Sequence, residues 1–146
     1  MYGISQHPDT KNYIIVLEGR DYCEKCGEKY KMRKWCKPCQ INDLGENFKN
    51  WTSSNEKIDD FIQEMQLKIN SYHDIVFEWV PYNQFKDIKE IDGDNFSIVY
   101  SATWNGPLKY DENTMKYKRY PSKVALKCLC GLFDTHNNTD EFLSKV

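Results

Sequence analysis

Apolar residues recur among polar ones along two stretches in the second half of the chain, at Phe85, Ile88 and Ile91 and, at every second position, over residues 98–104. A period of two residues is typical of strands whose two faces differ in polarity. The sequence Asp-Gly-Asp-Asn at residues 92–95 separates the stretches, and these residue types favour turns. The pattern therefore predicts two antiparallel strands joined by a tight turn.

A third apolar stretch, residues 124–130, contains a single lysine. Ala125 and Lys127 share one face of the predicted strand, whereas Leu126 and the two cysteines of the stretch share the other. A lysine on the inner face of an apolar strand needs an anionic partner, because an unpaired buried ammonium is costly. We therefore expect a third strand whose lysine meets an acidic group.

A polar excursion of residues 105–121 lies between the second and third stretches. Tyr110 and Tyr117 flank a turn at residues 111–114, and the mixed charges around them are typical of a solvated surface. The pattern predicts an exposed hairpin inserted into the sheet, with two tyrosines available for contact.

Ahead of the strands, apolar residues recur three or four positions apart, which is the spacing of one helix face. The members of this stripe are Ile58, Phe61, Ile62, Met65 and Ile69. Ser53 and Glu56 have the spacing of a capping box, so a helix is predicted over about residues 54–70. Because the stripe is one face wide, we expect the helix to pack against the domain that follows it.

Two Cys-x2-Cys pairs lie nearer the amino terminus, separated by nine residues: Cys23 with Cys26, and Cys36 with Cys39. Four thiolates suit the tetrahedral coordination of zinc. The alternatives are two disulfides, which a reducing compartment disfavours, and four unconnected thiols, which the paired spacing disfavours. We predict structural zinc in a small ribbon, with no open coordination position for catalysis.

Composition and charge narrow the setting. The chain has 146 residues, 40% of them hydrophobic, and a net charge of -2, which gives no electrostatic case for an anionic membrane. Its best apolar run, residues 13–17, is too short to span a bilayer and is interpreted as a short buried strand. The first residues lack the basic and apolar regions of a secretory signal, so a cytoplasmic, reducing location is expected.

Nucleic-acid binding is also disfavoured. Residues 20–50 carry eight Lys/Arg and five Asp/Glu, and four thiolates with one Zn²⁺ would lower the resulting positive charge further. Tyr30 and Trp35 are available for base stacking, but nucleic-acid binders usually show a strongly basic face. Protein contact or structural support is the expected role of the cysteine segment.

The two strands, their turn and the sequence Val-Ala-Leu-Lys resemble the beginning of a protein kinase domain. The kinase signature is a G-x-G-x-x-G-x-V loop between strands, followed by a V-A-I-K strand. The resemblance implies that the loop covers the phosphates of ATP, and that the lysine pairs with them and with a glutamate on the next helix. The implied ATP-binding residues are Ile91, Asp92, Gly93, Asp94, Ser97, Val99, Ala125 and Lys127.

Asp92, Asp94 and Ser97 stand where the signature has its three glycines. Glycine lets the loop backbone approach phosphate, whereas a carboxylate repels it. A like-charge pair 4 Å apart costs up to about 4 kcal/mol at an effective dielectric of ~20. We therefore predict weak or absent binding of ATP and Mg²⁺.

The whole chain is similar to a kinase-like family expanded in arbuscular mycorrhizal fungi. The similarity rests on the order of the cysteine pairs, the sequence F-K-N-W-T-S at residues 48–53, the amphipathic helix, the sequence E-W-V-P-Y at residues 78–82 and the kinase-like strands. It implies a Ser/Thr or Tyr kinase-like protein. Near the last residue, Lys145 stands where the partner glutamate is expected, and Glu141 lies one turn earlier as a substitute.

The sequence contains neither an H-R-D-x-x-x-x-N nor a D-F-G segment, which supply the catalytic base and the Mg²⁺ ligands, so no catalytic residue is assigned. The predicted fold is α+β. It comprises an amino-terminal segment (1–20), a zinc ribbon (21–50), a helical linker (51–80) and an incomplete kinase-like amino-terminal lobe (81–146). The face with Val99, Ala125 and Lys127 would meet water, so marginal folding or self-association is expected.

The predicted function is that of a pseudokinase fragment, a regulatory or interaction module with protein partners. Two alternatives remain open at this point. The chain could be the front of a longer active kinase, or a zinc-dependent protein-binding module that carries the lobe as a passenger.

Overall fold

The computed structural model describes residues 1–48, 52–129 and 139–146. Over these residues the chain is α+β, as predicted. The strands are β1 (Gly3–Gln6), β2 (Tyr13–Val16), β3 (Phe85–Gly93), β4 (Ser97–Trp104), β5 (Leu108–Asp111), β6 (Lys116–Arg119) and β7 (Ser122–Leu129). The helices are α1 (Lys37–Phe48), α2 (Glu56–Leu67) and α3 (Thr139–Leu143).

The three predicted strands form one antiparallel sheet in the order β3-β4-β7. The register places Val99 of β4 opposite Lys127 of β7, and Ser101 opposite Ala125. On the other side of β4, Asp92 of β3 lies opposite Val99. The pairing of β3 with β4 is irregular just before Asp92, where the register shifts by one residue.

Strands β5 and β6 form the predicted hairpin between β4 and β7, but its tyrosines are not exposed. Tyr110 and Tyr117 are cross-strand partners, Tyr110 is buried, and Tyr117 is half-buried. Exposed lysines, Lys109 and Lys118, alternate with the tyrosines along the two strands, and the two tyrosine rings pack into a core on the other face. The prediction of an exposed hairpin is therefore wrong for the tyrosine face.

The core draws on three of the predicted segments. Its buried members are Trp35, Leu44, Ile69, Val76 and Tyr110, with Ile41, Tyr72, Leu108 and Tyr117 packed against them. These residues come from the cysteine segment, the helical linker and the kinase-like segment. The three segments thus share one hydrophobic cluster instead of folding around separate cores.

Helix α2 confirms the predicted amphipathic helix but begins differently. Asn55 is its N-cap, and the Asn55 side chain accepts a hydrogen bond from the Ile58 backbone N–H at 3.3 Å. Ser53 instead donates to Asp59 through both its backbone N–H and its hydroxyl, at 2.8 and 2.6 Å. The predicted capping box of Ser53 with Glu56 is wrong, because Asp59 binds the serine.

Helix α3 packs against α2. Lys57 forms an ion pair with Asp140 at 2.6 Å, and the Asn55 side-chain amide donates to the Thr139 hydroxyl at 3.2 Å. Asn138, whose spacing to Glu141 predicts a helix start, lies outside the described residues, as do Cys130 and residues 49–51 of the F-K-N-W-T-S segment.

Strands β1 and β2 pair in an antiparallel hairpin, with Ile4 opposite Ile15. The prediction of a strand near residues 13–17 is confirmed, but its burial is not, because Tyr13 and Ile15 are mostly exposed. Within the described residues, no helix has the length and apolar character that crossing a bilayer demands.

Candidate metal centre and sheet face

The first cysteine pair forms a tight backbone turn. The Gly27 N–H donates to the Cys23 carbonyl at 2.8 Å, which closes the turn directly after Cys26. Gly27 has φ of +75°, a left-handed conformation that glycine adopts without a steric penalty. The Cys-Glu-Lys-Cys-Gly sequence therefore turns sharply enough to direct both thiols to one place.

The second pair lies at the beginning of a helix, within the segment predicted to be a zinc ribbon. Cys36 precedes α1, Cys39 lies in its first turn, and the Gln40 N–H donates to the Cys36 carbonyl at 3.0 Å. Pro38 suits this position, since a helix does not need the N–H of its first residues. The amino-terminal end of a helix also favours negative charge, which stabilises thiolates.

The four sulfur atoms converge. Cys23 Sγ lies 3.6 Å from Cys39 Sγ, and Cys26 Sγ lies 3.4 Å from Cys36 Sγ. All four lie within 4.8 Å of one another. Tetrahedral coordination with Zn–S bonds of about 2.3 Å places sulfurs about 3.8 Å apart. The cluster could hold a metal ion, and its donor set fits one that favours four thiolates.

The thiols of the cluster differ in acidity. Burial alone would raise the pKa of Cys23, but hydrogen bonds from the backbone at Cys26 and Lys25 lower it to about 6. Burial raises the pKa of Cys36 and Cys39, and their hydrogen bonds with the neighbouring thiols add to the increase for Cys39. Without a bound cation, Cys23 is therefore the thiol that ionises more readily than Cys36 and Cys39.

Two aromatic residues of this segment are turned inward, which corrects their predicted availability for stacking. Trp35 is 2% exposed and belongs to the core. Tyr30 is half-buried, and burial followed by its hydrogen bond with Cys23 raises its pKa. Because Trp35 packs in the core and Tyr30 bonds Cys23, the two rings do not form a free stacking surface.

The segment that carries the cysteine cluster is bonded to the β5–β6 hairpin. Trp35 Nε1 donates to the Tyr117 hydroxyl at 3.2 Å, and the Tyr110 hydroxyl donates to the Lys34 carbonyl at 3.0 Å. Arg33 forms an ion pair with Glu112 of the hairpin turn. The polar residues 105–121 did not predict that the hairpin packs on the cysteine segment. The one sequence signal was the pair Tyr110 and Tyr117, on either side of the predicted turn.

A second, partly buried contact anchors the hairpin at its open end, opposite its turn. Arg119 of β6 makes a bidentate ion pair with Glu78, with Nη1–Oε1 at 3.0 Å and Nη2–Oε2 at 2.6 Å. The Glu78 side chain is only 8% exposed. Arg119 also donates to the Gly106 carbonyl at 3.0 Å and lies over the Trp104 ring. Nothing in the spacing of these residues predicted the pair.

The residues of the predicted nucleotide site lie on one sheet and its loop. Lys127, Ala125 and Ile91 are exposed, whereas Val99 is half-buried. The expectation of a buried Lys127 with a desolvation cost is therefore wrong, whereas the exposure of Ala125 and Lys127 agrees with the expectation that this face meets water. Within the described part of the chain Lys127 forms no ion pair, and Glu141 pairs with Lys145 at 3.4 Å.

The loop between β3 and β4 is held by its own carboxylates. Asp94 Oδ1 accepts from the backbone N–H groups of Phe96 and Ser97, both at 2.7 Å, and Asp92 Oδ1 accepts from the Gly93 N–H at 2.9 Å. The bonds from Phe96 and Ser97 hold the pKa of Asp94 below its usual range, with a further contribution from the Lys127 charge. Because loop amides are the groups expected to bind phosphate, the residues present do not fit the phosphates of ATP.

Comparison with known proteins finds no matching family model, no similar curated protein and no similar solved structure.

Proposed function

We propose that this chain is a metal-stabilised, kinase-like lobe that serves as a regulatory or protein-interaction module and not as an enzyme. The observation that carries the proposal is the row of Asp92, Val99 and Lys127 across three antiparallel strands. This register brings the valine and the lysine of the kinase-like signature side by side, on strands that follow one another in the expected order.

Two features of the same sheet weigh against phosphoryl transfer. Asp94 occupies loop amides that a nucleotide would need. Active kinases also hold the motif lysine in an ion pair with a helix glutamate. Lys127 has no such partner within the described residues, where Glu141 is engaged by Lys145.

Zinc is the metal proposed for the cysteine cluster, since four thiolate ligands favour it. Its role would be structural, because four protein ligands complete a tetrahedron. The buried position of Trp35 beside the cluster supports this role, as the metal would order residues on which the hairpin packs.

Phosphoryl transfer and partner binding together test the proposal. Transfer from ATP and Mg²⁺ is measured on the purified chain, and partners are recorded by proximity labelling in cells. We compare the wild type with Lys127→Ala and with Ala125→Glu, which alters an exposed position of β7 outside the cysteine segment. The expected results are no transfer, unchanged partners for Lys127→Ala and lost partners for Ala125→Glu.

The alternatives predict different results. Transfer that Lys127→Ala abolishes would show that these residues belong to an active kinase. Partners that survive Ala125→Glu but disappear with Cys36→Ser would identify the cysteine segment as the binding module. Either result would overturn the proposed function.

A further inference from the structure

We infer that Asp94 is the loop's own anion: its carboxylate occupies the backbone amides where a kinase-like loop would hold phosphate, and thereby excludes nucleotide phosphates. The inference deepens the proposed function and rests on it. It assigns the exclusion to one side chain, and not to the general loss of glycine from the loop.

The geometry at the loop tip carries the assignment. Asp94 Oδ1 accepts two backbone hydrogen bonds at 2.7 Å, from Phe96 and Ser97, and lies 3.4 Å from the Ser97 hydroxyl. The Asp94 N–H donates back to the Ser97 carbonyl at 2.8 Å, which closes the turn. Consecutive backbone N–H groups that point at one oxygen form the kind of concavity in which proteins bind anions.

A tethered carboxylate has an advantage over a free phosphate for these amides. Hydrogen bonds to an ionised acceptor are short and stronger than neutral ones. Because Asp94 belongs to the loop, its effective concentration at the amides is about millimolar or higher. A phosphate group would have to displace the carboxylate and then remain close to its negative charge.

Lys127 stabilises the ionised form of the Asp94 carboxylate. Its ammonium acts on Asp94 electrostatically across the sheet, and no ion pair within the described residues competes for it. The cation that the kinase signature directs toward phosphate therefore favours the loop's internal anion.

Asp92 provides a matched comparison within the same loop. It carries the same charge two residues earlier, but its Oδ1 accepts only from the adjacent Gly93 N–H at 2.9 Å among the contacts described. Substitution of Asp92 removes one negative charge and leaves the Phe96 and Ser97 amides bonded to Asp94. General electrostatic repulsion and specific occupation of the amides can therefore be separated.

The experiment is a titration of the full chain with inorganic triphosphate, followed through the backbone amide resonances of Phe96 and Ser97. The variants are Asp94→Gly, Asp94→Asn and the control Asp92→Asn. We expect no saturable change for the wild type or Asp92→Asn. Asp94→Gly should bind triphosphate saturably, with a Kd at least about tenfold below the highest concentration at which the wild type shows no saturation. Asp94→Asn, which keeps an acceptor but loses the charge, should fall between them.

Saturable triphosphate binding by the wild type would overturn the inference, and so would the absence of any gain in both Asp94 variants. An equal gain in Asp92→Asn would overturn it as well, because repulsion alone would then explain the exclusion.

A second titration, with adenosine, distinguishes a failure of this inference from a failure of the proposed function, because adenosine has no phosphate. Its binding is followed at the amides of Val99 and Ala125 in the Asp94→Gly chain. If adenosine binds but triphosphate does not, the role of Asp94 is wrong and the kinase-like face stands. If triphosphate binds but adenosine does not, Asp94 guards an anion site and the kinase-like interpretation fails.

Discussion

Trp35 donates its indole N–H to the Tyr117 hydroxyl across 3.2 Å, and the two residues are 82 positions apart in the chain. Trp35 belongs to the cysteine segment, whereas Tyr117 belongs to the hairpin between β4 and β7. The candidate metal centre is therefore connected, through a buried core, to a hairpin that the central sheet carries as an insertion.

If the cysteine cluster binds the proposed metal, its loss should loosen this hairpin as well as the cysteine segment. Binding of a structural metal is coupled to folding, so its removal lowers the free energy of unfolding of the residues that pack around the site. We expect a chelator, or Cys36→Ser, to shift the Trp35 indole N–H resonance toward that of a solvent-exposed tryptophan and to lower the unfolding midpoint. Nuclear magnetic resonance and chemical denaturation measure the two effects.

Cys128→Ser is the matched control, because Cys128 is an exposed thiol outside the cluster. It should leave the metal content, the Trp35 resonance and the unfolding midpoint unchanged. A Trp35 resonance that does not respond to complete removal of the metal would contradict the proposed coupling.

The parts of the fold that the sequence predicted are those in which local chemistry decides the structure. The period-two alternation of residues 98–104 and the glycine-containing turn before them were sufficient for the sheet. The spacing of Cys23 with Cys26 placed two thiols in one tight turn. The stripe that includes Ile62 and Ile69 predicted α2, and both of these side chains are 2% exposed.

What the sequence did not show depends on contacts between distant segments. The burial of Tyr110 is caused by Trp35 and Ile69, which no local pattern connects to the hairpin. The apolar neighbours of Lys127 in the sequence suggested a buried lysine, but no described element covers its face of the sheet and the side chain is exposed. Helix α1 was missed although Pro38, followed by Ile41 and Leu44 at helical spacing, is compatible with a helix start.

Gly106 should tolerate no side chain. Its φ is +94°, and a Cβ built there would lie 1.5 Å from the Tyr120 carbonyl oxygen. Backbone atoms cannot move aside as a flexible side chain can, so Gly106→Ala should destabilise the chain by about 1–3 kcal/mol or more. Urea denaturation of the variant measures the loss.

Gly45→Ala makes the same chemical change within α1, where an added Cβ meets nothing within 4 Å. Alanine favours helices over glycine by up to about 1 kcal/mol, so this control should be neutral or stabilising. Equal effects of the two substitutions would show that the approach of Gly106 to Tyr120 does not constrain the hairpin.

The ion pair of Glu78 with Arg119 should contribute more to stability than surface pairs do. Glu78→Gln would leave a partly buried guanidinium without its counter-charge. Breaking a fully buried pair costs about 3–5 kcal/mol, and the 31% exposure of the Arg119 side chain reduces our expectation to about 1–3 kcal/mol.

Glu64→Gln breaks the exposed pair with Lys68 and should change the free energy of unfolding by less than about 0.5 kcal/mol. Denaturation midpoints that fall equally would refute a special role for Glu78.

The loop between β3 and β4 should open at acid pH because of Asp94. Its pKa in the folded chain lies below the ordinary aspartate value of about 3.9, chiefly because the Phe96 and Ser97 amides bond the ionised form. The stabilisation is therefore fully present above the ordinary pKa and is lost as the pH falls through the lower folded value. The amide resonances of Phe96 and Ser97 should shift upfield between about pH 5 and pH 2, with a midpoint below 3.9.

Acid also releases metal from thiolates, so the comparison is with Asp94→Asn, in which the metal is lost equally but the loop acceptor does not titrate. A wild-type midpoint at or above the ordinary value, or the same shift in Asp94→Asn, would show that the carboxylate does not hold these amides.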